Sequence, residues 1–109
     1  MATLAYSRIA IAGTLAAPVA ASAGGDKVAP NDRGFLDVNN GSGASITVTV
    51  AVPGNTSYGQ AQPDVAVTIA AGARRRIGPF PADLADPTDG LVAITYSAVT
   101  TVTVEAVVI

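Results

Sequence analysis

The chain has no cysteine, no histidine and no tryptophan, and only three Tyr and two Phe in 109 residues. Without Cys there can be no disulfide, no thiolate metal site and no sulfur nucleophile. Small exported domains often carry disulfides, so their absence counts against export. Without His, the side chain that most readily moves a proton near neutral pH is missing. Charge is scarce as well: six basic and eight acidic residues leave a net of −2. That balance excludes a protein that binds by neutralising phosphates, so nucleic acid is not an expected partner. A weakly charged surface repels its neighbours little and suits a protein that lives packed against others. The most apolar run, residues 9–21, is broken by Gly13, Thr14 and Pro18. It is too short and too weakly apolar to span a bilayer, and no membrane partner is expected.

Half of the residues are hydrophobic, mostly Ala and Val, interleaved with Thr and punctuated by Gly and Pro. That is strand composition. FLDVNN (35–40) reads as a first strand, stopped by Asn40-Gly41-Ser42-Gly43. ITVTVAV (46–52) alternates, with Ile46, Val48, Val50 and Val52 on one face. PGNTSYGQAQP (53–63) has no periodicity and reads as a surface loop. DVAVTIA (64–70) alternates again and points Val65, Val67 and Ile69 inward, and RRRIGPF (74–80) follows after an Ala71-Gly72 turn. ADLADPTDG (82–90) holds a helical turn and a loop. LVAITYSA (91–98) and TVTVEAVVI (101–109) predict a closing hairpin, with Val92, Ile94 and Tyr96 facing Val102, Val104 and Val108. Val107 and Ile109 are then left on the outer face, an edge poorly guarded against aggregation. The expected fold is all-β: a small antiparallel β-sandwich or barrel of about six to eight strands with an extended N-terminal arm.

The arm carries the largest question. IAIAGTLAAPVAASAGGD (9–26) has the outline of a secretory signal, with Arg8 before it and Ala21-Ser22-Ala23 as a small-residue cleavage site. Its strong hydrophobes are only Ile9, Ile11, Leu15 and Val19, which is thin for that purpose. The alternative is an arm that the protein keeps. Ordering so long a segment costs more backbone entropy than its few large apolar side chains return, so partners are expected to help hold it. The expected division is an arm over residues 1–32, contacting neighbouring subunits, and a β-sandwich domain over 33–109. Gly24-Gly25 and Pro30-Asn31-Asp32 form the junction.

Chemistry-bearing clusters are few. Asp83, Asp86 and Asp89 are spaced by three, and such a loop can offer oxygen ligands to a hard cation. The spacing matches no helix–loop–helix calcium site, and Asp before Pro and before Gly is a common turn former. Arg74, Arg75 and Arg76 hold half of the positive charge. They read either as protection of an edge strand or as ion-pair donors to a neighbouring subunit. Glu105 is alone on its strand, and Tyr58 and Phe80 are lone aromatics. No base serves a Ser or Thr nucleophile, so an enzyme is not expected, and no catalytic, cofactor or metal site is assigned.

Two stretches, GGDKVAPNDRGFLDVNNGSGASITVTVAVPG and RRRIGPFPADLADPTDGLVAITYSAVTTVTVEAVVI, carry a resemblance. With their Ala-rich leader ending in Gly-Gly-Asp, they resemble small tailed-phage head proteins, of the decoration or minor capsid type found in actinobacterial phages and prophages. The resemblance spans about residues 20 to 109 and rests on strand and turn signatures. It implies a virion protein on the capsid surface, assembled in the host cytoplasm, without enzymatic activity or cofactor. The implied partners are the major capsid protein and other copies of the chain, with trimers favoured by lattice symmetry. Tyr6, Ile9, Ile11, Leu15, Arg74, Arg75 and Arg76 are the expected partner contacts. A head–tail connector or tail component, or a secreted binding module with a cleaved leader, are the competing expectations.

Overall fold

A computed structural model describes residues 2–109. Ten strands follow one another: β1 (Ala2–Leu4), β2 (Ser7–Arg8), β3 (Val19–Ala20), β4 (Asp26–Val28), β5 (Gly34–Asn40), β6 (Ile46–Val50), β7 (Val65–Ile69), β8 (Arg74–Ile77), β9 (Val92–Tyr96) and β10 (Val102–Val108). A single 3-10 turn, Ala82–Leu84, interrupts them. The strands make two mixed sheets, ordered β1-β4-β9-β6-β7 and β2-β10-β5-β8, with β3 also pairing β10. The two facing sheets form an all-β sandwich, and the molecule is only 19 Å thick along its shortest axis.

The core follows from alternation. Ile46, Val48 and Val50 from the first sheet are buried with Val28, Val92 and Ile94. They meet Leu36, Val38, Val102, Val104 and Ala106 from the second sheet. Phe80 lies fully buried beside them. β-branched side chains fit such a pleated, two-sided interior, which explains a core built mostly of Val and Ile. The turn after β5 is fixed by Asn40, whose side chain is completely buried. Its Nδ2 donates to the carbonyls of Ala44, Ile69 and Ala70, while its Oδ1 accepts from Ser42. One amide thus ties the end of β5, in one sheet, to the end of β7, in the other.

Four features depart from expectation. Ten strands form instead of six to eight because residues 2–28 contribute four short ones. The sandwich begins before Arg33: Asp26–Val28 is a strand paired on both sides, with Val28 fully buried. The last two strands make no hairpin. β9 pairs with β4 and β6, and β10 pairs with β5, β2 and β3. Each carries a complete inward apolar set, so Val92 and Ile94 meet Val102 and Val104 across the core and not along a ladder. The connection crosses between sheets through Thr101, held at φ 55, whose carbonyl accepts from the Gly41 N–H. Val107, expected on an exposed face, is buried, because the N-terminal segment lies over that face of the second sheet.

Candidate interaction surfaces

The two edges of the sandwich are finished differently. At one edge the chain seals itself. β1 adds in parallel to β4 on the first sheet, and the chain then crosses so that β2 adds in parallel to β10 on the second. Leu4 and Tyr6, in and beside this crossing, pack against the core. Tyr6 is therefore an anchor within the chain: its hydroxyl donates to the Ala29 carbonyl at 2.5 Å. Its ring rests against Gly34, where an added Cβ would lie 2.6 Å from the ring and would push it aside. Burial raises the Tyr6 pKa above its ordinary value.

Between β2 and β3 the chain leaves the edge as a tongue, residues 9–18. Both roots are pinned to β10: the Ile9 N–H donates to the Val108 carbonyl at 2.9 Å, and the Ala21 N–H to the Val102 carbonyl at 3.0 Å. Thr14 closes it internally, accepting from the Ala10 N–H and donating to the Arg8 carbonyl. The tongue covers Phe35, Asp37, Glu105 and Val107 on the outer face of the second sheet, over a cavity of about 300 Å³. The Ala17 N–H donates to Glu105, which gives that lone carboxylate a role in positioning the tongue. Ile9 and Val19 are half exposed, Leu15 is 89% exposed, and Ile11 has no cover at all.

Where the chain enters the first sheet, Asp26 is buried at 1% exposure. It accepts from the Tyr96 hydroxyl at 2.7 Å and from the Ser22 N–H at 3.3 Å, while its Oδ1 has no partner among the described residues. Burial and then the neighbouring Asp26 push the Tyr96 pKa far above its usual value.

The opposite edge is open. β7 and β8 end their respective sheets, joined by the Ala70–Ala73 turn, and among the described residues no strand covers either one. Between them lies a groove of about 630 Å³, floored by Val50, Val67, Ile77, Phe80 and Leu84. Val65, expected inside, stands 48% exposed at its mouth, because no strand beyond β7 closes the interior there.

The three arginines divide along this edge. Arg74 reaches the outer face of the second sheet and makes a two-pronged pair with Asp37, Nε–Oδ1 at 2.8 Å and Nη2–Oδ2 at 2.6 Å. The carboxylate it needed lies in its own chain, and those bonds raise its pKa. Arg76 sits 3.9 Å from the same carboxylate and is largely exposed. Arg75 points the other way, with Ile77, and donates to the Thr68 carbonyl on the free side of β7 at 3.0 Å.

Asp86 and Asp89 are turn formers: Asp86 accepts from the Thr88 N–H at 2.8 Å and Asp89 from the Leu91 N–H at 3.0 Å. Asp89 also pairs with Lys27, whose hydrogen bond lowers its pKa. Among the described residues no cluster of three or more His, Cys, Asp or Glu side chains is arranged to hold a metal ion. Among the described residues, no helix is long and apolar enough to cross a membrane. No family model matches the chain, and neither a curated protein nor a solved structure matches it.

The expected contact residues thus fall into three places. Ile9, Ile11 and Leu15 share the tongue, Tyr6 is spent on the sealed edge, and Arg74–Arg76 line the open edge. Sequence reading placed Asn40 in a turn but missed its bonds to Ile69 and Ala70, and it missed Asp26 and the groove itself. Those partners of Asn40 and the Tyr96 partner of Asp26 lie up to 30 and 70 positions away and leave no local signal.

Proposed function

We propose that the chain is a structural virion protein, a decoration protein that binds the outer surface of an assembled phage head and stabilises it. The observation that carries this reading is the tongue. Its two roots are hydrogen-bonded to β10, yet Ile11 and Leu15 are held out in water. Free apolar side chains on a mobile end would need no explanation, but a loop braced at both ends presents them in fixed positions, as a docking element does. The resemblance of the strand and turn motifs to phage head proteins supplies the class of partner, the shell protein and further copies of the chain. The weakly charged surface suits close packing in a lattice. A protein that binds the assembled shell in preference to free subunits stabilises the shell by mass action. Retention of the arm is supported by the core packing of Leu4 and Tyr6, which a cleaved leader would forfeit.

The test is co-sedimentation with purified heads that lack the protein. Wild-type chain should saturate them at hundreds of copies, in the virion's stoichiometry. Ile11→Ser and Leu15→Ser leave the sandwich untouched, and each should weaken binding by about tenfold or more, the value of one buried large aliphatic side chain. Equal binding by the double variant, or a copy number that fits a single ring, contradicts the decoration reading.

A further inference from the structure

We propose that the free edge of β7 is a docking site for an extended segment of a partner protein, which adds as a sixth strand, fills the groove with alternate apolar side chains and presents a carboxylate to Arg75. The proposal stands apart from the tongue, so groove binding and shell binding can fail independently.

Backbone register comes first. Within one strand, the N–H and C=O of a residue point to the same side, and successive residues alternate. Thr47 uses its carbonyl toward β9, accepting from Ser97, and Ala51 donates toward β9 as well. Val48 therefore turns toward β7, where it pairs with Val67. This leaves Ala66 and Thr68 facing outward, and the Thr68 carbonyl confirms the direction by accepting from Arg75. Two residues thus offer a complete set of ladder groups to a further strand, and a side chain holds one of them.

Edge strands in free proteins are normally blunted by charge, proline or a bulge. β7 reads Val-Ala-Val-Thr-Ile, with none of these. Its guard comes from the neighbouring strand: Arg75 is a charged residue on the inward face, occupying the place where a newcomer would bond. The groove beside it is apolar on its floor and basic on its rim. Asp37 is the carboxylate paired with this arginine cluster, and Arg74 takes both of its oxygens. Arg75 and most of Arg76 remain to meet an incoming negative charge. The chemistry that fits is an extended segment with small apolar residues at every second position and an acidic group at one end.

A second copy of this chain does not fit. Pairing β7 with its own mate would require the Thr68 carbonyl of each copy and bring the two Arg75 side chains together. The arm of a neighbour does not match either, since no Asp or Glu precedes Asp26. Of the alternating apolar segments that carry an acid, β10 is already paired on both sides, and Asp64 ahead of β7 already accepts from the Val52 N–H at 2.9 Å.

The test uses the full chain and a soluble probe, a short synthetic peptide that alternates Thr and Val and ends in Asp. Titration followed by amide NMR should shift the Ala66 and Thr68 resonances together. A peptide ending in Lys should bind about tenfold more weakly, as should one N-methylated at the positions facing β7. Arg75→Glu, an exposed substitution whose folding is checked in the same spectra, should reverse the preference toward the Lys peptide. The proposal is overturned if the Ala66 and Thr68 amides do not move, or if both charges bind equally to wild type. It is also overturned if these amides gain protection with protein concentration alone, which would make a second copy the occupant.

Discussion

The two edges of this sandwich solve the same problem in opposite ways. At the β4/β10 edge, residues 2–8 cross from one sheet to the other and close the interior with Leu4 and Tyr6. At the β7/β8 edge nothing crosses, and Val65 and the groove remain accessible. Apolar composition does not explain the difference, because β10 at one edge and β7 at the other are both built mostly of Val, Ala and Thr, and each edge has a charged strand beside it, β4 or β8. What differs is spare chain: the N-terminus has length to give, while β7 and β8 are joined by a turn of a few residues. An edge with no chain to cover it must use side chains, and here it uses Arg75 across the mouth of the groove and Asn40 within.

Substitutions can break or sharpen that contrast. The largest effect is expected at the open edge, where the Asn40 side chain hydrogen-bonds the end of β7 from the end of β5. Asn40→Ala should cost about 3 kcal/mol in urea unfolding, since it removes at one fully buried position the amide's bonds to Ala44, Ile69 and Ala70. A cost near zero would mean that the open edge is braced in some other way. At the sealed edge, Tyr96→Phe removes the hydroxyl donor to buried Asp26 and should cost about 2 kcal/mol at neutral pH. The same side chain sets an alkaline limit. Its pKa is raised in the folded protein, so the folded state holds the proton more tightly than the unfolded state does. Stability is complete below about pH 10, the unfolded value, and falls as the pH rises above it. The Phe variant should lose the Tyr96 share of that alkaline slope and keep the one from Tyr6, which a pH series of melting temperatures reads directly.

A smaller effect is expected from Tyr6→Phe, which keeps the ring against Gly34 and loses one bond to Ala29. About 1 kcal/mol should go, with faster amide exchange confined to the arm. The smallest belongs to the exposed Lys27–Asp89 pair. Lys27→Ala should barely change the melting temperature, and that change should vanish in high salt. A large loss would show that the arm junction depends on this ion pair.

Much of the fold was legible because alternation is a local signal. ITVTVAV, DVAVTIA, RRRIGPF, LVAITYSA and TVTVEAVVI each contain one observed strand, and FLDVNN contains all but the first residue of another. Alternation says which face is buried and nothing about which strand lies alongside. For that reason β9 and β10 looked like a hairpin, although they belong to different sheets. The arm was illegible for another reason. Its strands are two or three residues long, rich in Ala and Ser, and exist only because β4 and β10 offer edges to pair with. Among the candidate contacts, the tongue residues Ile9, Ile11 and Leu15 stood out as large apolar groups in a stretch of small ones. The groove left no trace in sequence, since it is made by the absence of a strand between β7 and β8.

The contrast between the edges is tested most directly by residue-resolved amide hydrogen exchange on the dilute, isolated chain. The Ile9 and Ala21 amides, bonded to β10, should be protected, while those of Ala66 and Thr68 should exchange at nearly the rate of unstructured chain. Rapid exchange at Ile9 and Ala21 together with slow exchange at Ala66 and Thr68 would contradict the picture of one edge sealed and the other left free.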